Sequence, residues 1–184
     1  FIALRRNIKI MATYDLLKNN DPRLKIKLES VDDNVSDRLT LQNNLLETMD
    51  KYNGLGLAAN QCGIMQRAFA AYIDWPDRVK TVCFNPEIVW SSEETSFEEE
   101  GCLTYPGLYL KIRRPVAIKV TYENVEGNVS TQNLKDLEAR IFQHEYDHMN
   151  GYDFTTKVSP LVLQRAKKKL KNNIKKNLRK YGNI

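Results

Sequence analysis

Both histidines of the chain lie in one short stretch, QHEYDHMNG at residues 143–151. A helix of about 3.6 residues per turn places His144 and His148 about 40° apart, so both imidazoles can bind one metal ion. Glu145 lies one step around this surface, where its carboxylate can reach a water on that ion without being a ligand. A metal lowers the pKa of its bound water to about 7, and a nearby carboxylate can move the proton. The spacing therefore predicts a divalent metal site that performs hydrolysis.

The third ligand of this site has to be found elsewhere, because two imidazoles do not complete a catalytic site and the HExxH spacing also occurs by chance. Helical zinc proteases usually take a downstream Glu or His, but after His148 the only acidic residue is Asp153 and no His follows. The ligand must therefore come from upstream. The stretch EEEGCLTYPG at 98–107 offers Cys102, whose thiolate suits a borderline-soft divalent ion. Taken alone, a single Cys is more often a small buried hydrophobe.

Three stretches together resemble the signature motifs of the peptide deformylases. They are GLGLAANQ at 54–61, EGCLTYPG at 100–107 and QHEYDHMNG at 143–151, in the family's order and approximate spacing. The resemblance extends to NPEI at 85–88 and to the RRPVAIKV strand, and so covers about residues 20–155. It implies metal-dependent hydrolytic removal of the N-formyl group from the N-terminal formylmethionine of nascent polypeptides, with release of formate.

The resemblance also implies roles for single residues. The positions that match the metal ligands are Cys102, His144 and His148. Glu145 matches the catalytic carboxylate. The side-chain amide of Gln61 and the backbone N–H of Leu103 match the donors to the developing oxyanion, and losing one such donor typically costs ~10²–10³ in rate.

Substrate contacts follow from the same resemblance and from the residues beside the motifs. Leu55, Gly56 and Gly101 match positions whose backbone pairs with the extended peptide as if it were an added strand. The Met side chain needs an apolar pocket, and the candidates are Leu55, Leu137 and Ile141. Each of these three side chains could equally be ordinary core.

The chain departs from the family pattern beside two of the motifs. Asn60 stands where many members have Pro, and Thr104 and Tyr105 vary the residues after Cys-Leu. We expect these changes to touch neither the metal nor Glu145, and to affect preference beyond formyl-Met more than the reaction. Arg114 can pair with Glu98 or Glu100 beside the thiolate or remain a solvated surface charge.

The implied cofactor is one divalent ion per chain. The family commonly uses Fe²⁺, which suits a His₂Cys ligand set, and Zn²⁺, Ni²⁺ or Co²⁺ are the expected substitutes. Intrinsic affinity favours Zn²⁺ at least as strongly. The sequence does not choose the ion.

Several elements must position these residues. Apolar positions at helical spacing predict one helix ending near Gly54, a second from about Asn133 to Met149 that carries the histidines, and a third from about Pro160. Short β-branched or aromatic segments predict strands, and the VEG turn predicts a hairpin between two of them. The strand segments are AFAAYI, TVCF, PEIVW, VAIKVTYEN and NVSTQN. The prediction is an α+β fold, with antiparallel β-sheets packed around a central metal-binding HExxH helix and a C-terminal basic helix.

Composition indicates an ordinary globular chain. It has 184 residues, 42% of them hydrophobic and 28% charged. This length and composition suffice for one domain with its own hydrophobic core. We expect a peripheral segment at 1–14, a catalytic domain at 15–156 and a basic helix at 157–184. No apolar run reaches the ~18 residues of a membrane helix. Three cysteines, an odd number, fit a reducing compartment.

The C-terminal segment is strongly basic. Residues 157–184 carry ten Lys and Arg and no acid, so the rest of the +5 chain carries −5. A solvated surface helix explains this pattern, and so does docking on the ribosome near the exit tunnel through rRNA phosphates. The alternative functions are an HExxH metalloprotease and a non-enzymatic ribosome- or RNA-binding adaptor. We expect a cytoplasmic protein of a bacterium or a phage-infected cell, with an organellar matrix as the alternative.

Overall fold

A five-stranded antiparallel sheet lies at the centre of the molecule, in a computed structural model that describes residues 12–32 and 34–181. The strands are β1 Gly56–Ala58, β2 Ala68–Asp74, β3 Val79–Ser91, β4 Thr95–Gly101, β5 Tyr109–Pro115, β6 Ala117–Glu123 and β7 Val129–Lys135. The order in the central sheet is β1-β2-β3-β6-β7, and β4 and β5 form a separate antiparallel pair. The hairpin predicted at the VEG turn is the β6–β7 pair.

Two helices cover the opposite faces of the central sheet. Successive side chains of a strand point to opposite faces, so Ala68 and Ala70 of β2 pack in the cluster that includes α1 (Val35–Lys51). Phe69 of β2 packs on the other face against α2 (Asp136–Met149), in edge-to-face contact with Phe142. The histidine-bearing helix is therefore central, and the predicted α+β architecture is confirmed.

The start of α2 differs from the prediction. The sequence pattern placed it near Asn133, but Asn133 and Leu134 pair with β6 as part of β7, and the helix begins at Asp136. Leu134 is buried in the same cluster as the apolar face of α2. It therefore fits the helical periodicity although it belongs to a strand, because both elements bury their apolar side chains in the same cluster.

The C-terminal helix α3 (Pro160–Tyr181) is attached to the body through its first half only. Leu163, Ala166 and Leu170 pack in a third apolar cluster with β5 and with the turn around Phe154. Ile174 and Leu178 continue the stripe but are 50% and 65% exposed. The apolar positions at helical spacing after Pro160 therefore divide into a docked part and an exposed part.

Three further expectations concern the chain as a whole. The proposed peripheral segment lies outside the described residues up to residue 11, while Ala12 and Tyr14 hydrogen-bond to side chains of α1. The three cysteines are free. Among the described helices, none combines the length and the apolarity that a membrane crossing requires.

Candidate functional site

Three potential metal ligands converge at the centre of the fold. One donor atom each from Cys102, His144 and His148 lies within 4.8 Å of the others. The Cys102 Sγ is 3.3 Å from His148 Nε2. A thiolate and two imidazoles form a donor set suited to Fe²⁺ or Zn²⁺. The predicted ligands are thus brought together, and the set fits one divalent ion.

Two independent elements supply these ligands. His144 and His148 lie one turn apart on α2, and their rings are 5.1 Å apart. Cys102 directly follows β4, and its half-buried side chain packs in the third apolar cluster. The site therefore depends on the docking of the β4–β5 sheet against α2.

Glu100 connects the two elements from behind the ligands. Its carboxylate accepts two hydrogen bonds from Arg114, at 2.6 and 2.9 Å, and one from Arg140 at 2.6 Å. It also lies 3.0 Å from His144 Nδ1. This contact fixes the His144 ring and leaves the other ring nitrogen for the pocket, as metal-binding histidines require.

Burial alone would raise the pKa of Glu100, but the hydrogen bonds from His144 and Arg114 outweigh it and lower the pKa to about 2. Arg114 also bonds Asp147 of α2 at 2.8 Å. Of the alternatives considered for Arg114, the structure therefore shows the buried pair with Glu100 and not a solvated charge.

The two imidazoles are perturbed in opposite directions. Burial lowers the pKa of His148 well below its usual value, and the neighbouring His144 adds to this effect. Burial also opposes protonation of His144, but hydrogen bonds to Cys102 and Glu100 raise its pKa well above the usual range. His148 is therefore held in the neutral form, which is the form that binds a metal.

Glu145 is placed to handle a proton. It is buried, and its Oε2 makes no hydrogen bond within residues 12–32 and 34–181. Burial raises the pKa of Glu145 to about 7, although the charge of His144 opposes the shift. Gly56 provides the space, because a Cβ there would overlap the Glu145 carboxylate.

The Gln61 amide is held in one orientation. Its Oε1 accepts from the backbone N–H of Ala58 at 2.8 Å, so its NH₂ group points to the ligands. Nε2 donates to Thr104 Oγ1 at 3.0 Å and lies 3.5 Å from Cys102 Sγ. The NH₂ group of Gln61 therefore lies beside the pocket, and its role as a donor to the oxyanion stays a prediction.

A cleft of about 1220 Å³ opens onto these groups. Its lining includes Leu137 and Ile141 of α2, together with Leu55, Gly56, Gly101 and Leu103. Leu55 is 41% exposed and Ile141 is 6% exposed. The structure therefore gathers every predicted substrate residue around one opening.

The cleft lies beside two strand edges that no described strand covers. β1, with Gly56, is the outer strand of the central sheet, and β4, which ends at Gly101, is paired on one side only. The carbonyl of Leu55 already accepts from the N–H of Tyr72. This carbonyl of Leu55 is therefore already used within the central sheet.

Two of the three residues at which the chain departs from the family pattern, Asn60 and Thr104, contact residues of the site. The buried Asn60 donates from Nδ2 to the backbone carbonyl of His148 at 2.7 Å. Thr104 is the acceptor for Gln61, and Tyr105 donates to Asp153 at 2.6 Å.

Sequence reasoning missed two groups of residues. Arg140 is 6% exposed on α2, and its bonds to Glu100, to Ser96 and to the carbonyl of Ile112 carry it into the charged network. An Arg on the buried face of an amphipathic helix was the available signal. The segment 15–20, which lines the cleft, had no such signal.

Comparisons with known proteins agree on one family. The family model described as polypeptide deformylase matches residues 13–164. A peptide deformylase from Brachyspira hyodysenteriae is 36% identical over 165 residues, covering 85% of this chain and 87% of that protein.

Solved structures match in the same way. The crystal structure of peptide deformylase from Thermotoga maritima has a TM-score of 0.75 at 36% identity, covering 81% of this chain and 99% of that one. A Met-Ala-Ser-bound class I type b enzyme from Acinetobacter baumannii has a TM-score of 0.73 at 28% identity, covering 81% and 100%.

Proposed function

Because the chain belongs to the peptide deformylase family, and is therefore a metal-dependent hydrolase that deformylates nascent peptides, we propose how its residues divide this reaction. The proposal rests chiefly on the convergence of Cys102, His144 and His148 beside the buried Glu145. The relatives reported above are deformylases, so the metalloprotease and adaptor alternatives are set aside.

Cys102, His144 and His148 would hold one divalent ion. When bound, such an ion would supply Lewis-acid chemistry, polarising the formyl oxygen and lowering the pKa of a water. Fe²⁺ is the proposed native ion and Zn²⁺, Ni²⁺ or Co²⁺ are substitutes, since the His₂Cys set accepts all of them. Metal analysis of protein purified without oxygen tests this choice, and a stoichiometric ion other than Fe²⁺ would contradict it.

Glu145 moves the proton. Its unpaired Oε2 can accept a proton from the attacking water and deliver it to the departing amine as formate leaves. The Nε2 of Gln61 and the N–H of Leu103 donate hydrogen bonds to the oxygen on which negative charge develops. Gln61 can do so without rearrangement because the Ala58 N–H already fixes its amide.

The formylmethionyl peptide binds as an extra strand between Gly56 and Gly101. The two open edges supply backbone partners, and the missing side chains admit the peptide close to Glu145. The Met side chain then lies against Leu55, Leu137 and Ile141. The Met-Ala-Ser bound to the Acinetobacter baumannii enzyme supports a peptide of this kind as the ligand.

Formate release from formyl-Met-Ala-Ser tests the assignment, with Fe²⁺ under anaerobic conditions and in parallel with Glu145→Gln. We expect metal-dependent turnover that falls by ~10² or more in the variant. A variant that binds metal and keeps full turnover would remove Glu145 from the mechanism. Absence of turnover in the folded, metal-loaded wild type would overturn the proposal.

The basic helix α3 is proposed to dock on the ribosome in the cytoplasm. Its exposed second half places Lys175, Lys176 and Arg179 away from the docked cluster, where rRNA phosphates can attract them. Ending the chain after residue 172 retains Leu163 and Leu170 and therefore spares the core. We expect this truncation to weaken salt-sensitive ribosome binding, and unchanged binding would contradict the proposal.

A further inference from the structure

The short 3₁₀ turn Ala59–Cys62 lies between α2, which carries the two histidine ligands, and the loop that carries Cys102. Two adjacent side chains of this turn, Asn60 and Gln61, point in different directions. Asn60 Nδ2 donates to the His148 carbonyl at 2.7 Å, while Gln61 Nε2 lies 3.5 Å from Cys102 Sγ. The turn therefore contacts the end of α2 and the Cys102 loop at the same time.

The Asn60 bond is not needed to end the helix. The carbonyl of His148 also accepts from the backbone N–H of Gly151 at 3.1 Å, so the last turn of α2 is already capped. The bond from Asn60 is instead the connection between this carbonyl and a different segment, 88 residues away in sequence.

The surroundings of Asn60 point to the ligand itself. Asn60 is 0% exposed, and its Oδ1 has no hydrogen-bond partner within the described part of the chain. The Nδ1 of His148 is likewise buried and unpaired there, while its Nε2 faces Cys102. A buried amide that donates to a ligand residue while its own acceptor stays unpaired is poorly explained by packing alone.

We propose that Asn60 is a positioning residue for the ligand His148, and that the Asn60–Gln61 turn sets the spacing between His148 and Cys102. This inference rests on the proposed metal site. Partners that do not touch the metal hold its ligands in place, and losing such a partner typically weakens metal binding ~10–100-fold. Asn60 is such a partner for His148, since it holds the backbone carbonyl of this ligand.

The test measures metal affinity of the full chain by competition between the protein and a chelator for Zn²⁺. Asn60→Leu keeps the approximate volume but removes both polar atoms, and Asn60→Asp keeps an acceptor but removes the donor. We expect ~10–100-fold weaker Zn²⁺ binding in both variants. The absorption bands of bound Co²⁺ should also shift, because they report ligand geometry.

Asn44→Leu is the matched control. Asn44 of α1 is also a buried amide, away from the ligands. Its Oδ1 accepts from the N–H of Ala12, and its Nδ2 donates to the hydroxyl of Tyr14. This variant should lower the Tm of the metal-free protein and leave both the Zn²⁺ affinity and the Co²⁺ spectrum unchanged.

The outcomes separate the inference from the proposed site. If wild type binds one Zn²⁺ per chain and Asn60→Leu binds it equally with an unchanged Co²⁺ spectrum, Asn60 only fills space and the inference fails. If wild type binds no ion, the metal site itself fails. If Asn60→Leu does not fold, Asn60→Ser replaces it in the test. The serine hydroxyl is too short to reach the His148 carbonyl, so we again expect weaker Zn²⁺ binding and a shifted Co²⁺ spectrum.

Discussion

Helices α2 and α3 both carry many charged residues, but their surroundings differ completely. Four charged or titratable residues of α2 are buried: Arg140, His144, Glu145 and His148. Three of them, all but Glu145, hydrogen-bond to β4 or to the loop between β4 and β5. On α3, through residue 179, every Lys and Arg is exposed and none forms an ion pair with a described residue.

This difference shows which charges can specify a function. A charge removed from water is costly unless it is paired, so its partners and position are closely constrained. A solvated lysine meets no such constraint, and its neighbours carry little information. The chemistry of the molecule can therefore be inferred from α2, whereas α3 allows a docking proposal from charge alone.

Removing a ligand from the α2 site should have the largest effect. Cys102→Ala leaves two imidazoles, which do not complete a catalytic site. We expect loss of stoichiometric metal and of formate release while the protein stays folded, as measured by metal analysis and circular dichroism. If Cys102→Ala retained both the metal and the activity, the claim that the buried residues around α2 specify the function would be wrong.

Cutting the charged network behind the ligands should have the next largest effect. Glu100→Gln removes the carboxylate that orients His144, so we expect metal affinity to fall by ~10–100-fold. The neighbouring Glu98 is 59% exposed and only 3.5 Å from Arg140. Glu98→Gln is therefore the control and should leave chelator competition unchanged. Equal behaviour of the two variants would refute a role for burial.

A smaller effect is expected where α3 docks on the body. A Cβ on Gly107 would lie 3.1 Å from Leu170 Cδ1, so Leu170 packs on the loop that follows Cys102. Leu170→Ala should lower the free energy of unfolding by about 2 kcal/mol. Leu178→Ala, at an exposed position, should change it by less than about 0.5 kcal/mol in urea denaturation.

The smallest effect on catalysis is expected from the exposed lysines of α3. The double variant Lys175→Gln and Lys176→Gln alters no described contact, so formate release from a free tripeptide should be unchanged. Its ribosome binding should weaken with a reduced salt dependence. A loss of tripeptide turnover would show that α3 affects the catalytic site. It would contradict the claim that only the buried residues around α2 determine the chemistry.

Much of the site could be predicted because its parts lie in short local motifs. His144, Glu145 and His148 share one helical spacing, and Cys102 and Gln61 lie in recognisable segments. The network around Glu100 could be inferred only in part, since its members come from β4, β5 and α2 and meet through tertiary packing. Pairing of Arg114 was one of two open alternatives, and Arg140 was not considered.

The sequence did not show where α2 begins or where the docked part of α3 ends, for a related physical reason. A stripe of apolar residues reports which side chains are buried but not which element carries them, and so Leu134 was assigned to the helix instead of β7. On α3 the stripe continues beyond the body, so periodicity alone could not show where docking stops. Tertiary contact decides both cases.

The open strand edges beside the cleft also bear on self-association. An unpaired edge that accepts a peptide can in principle accept the same edge of another molecule, which is a common route to aggregation. Here β1 is only three residues long, and β4 carries the exposed Glu98 and Glu99. Two copies meeting along β4 would bring like charges together, whereas a short nascent peptide without acidic residues meets no such repulsion. We infer that these carboxylates disfavour edge-to-edge pairing of two copies without opposing the proposed binding of such a peptide.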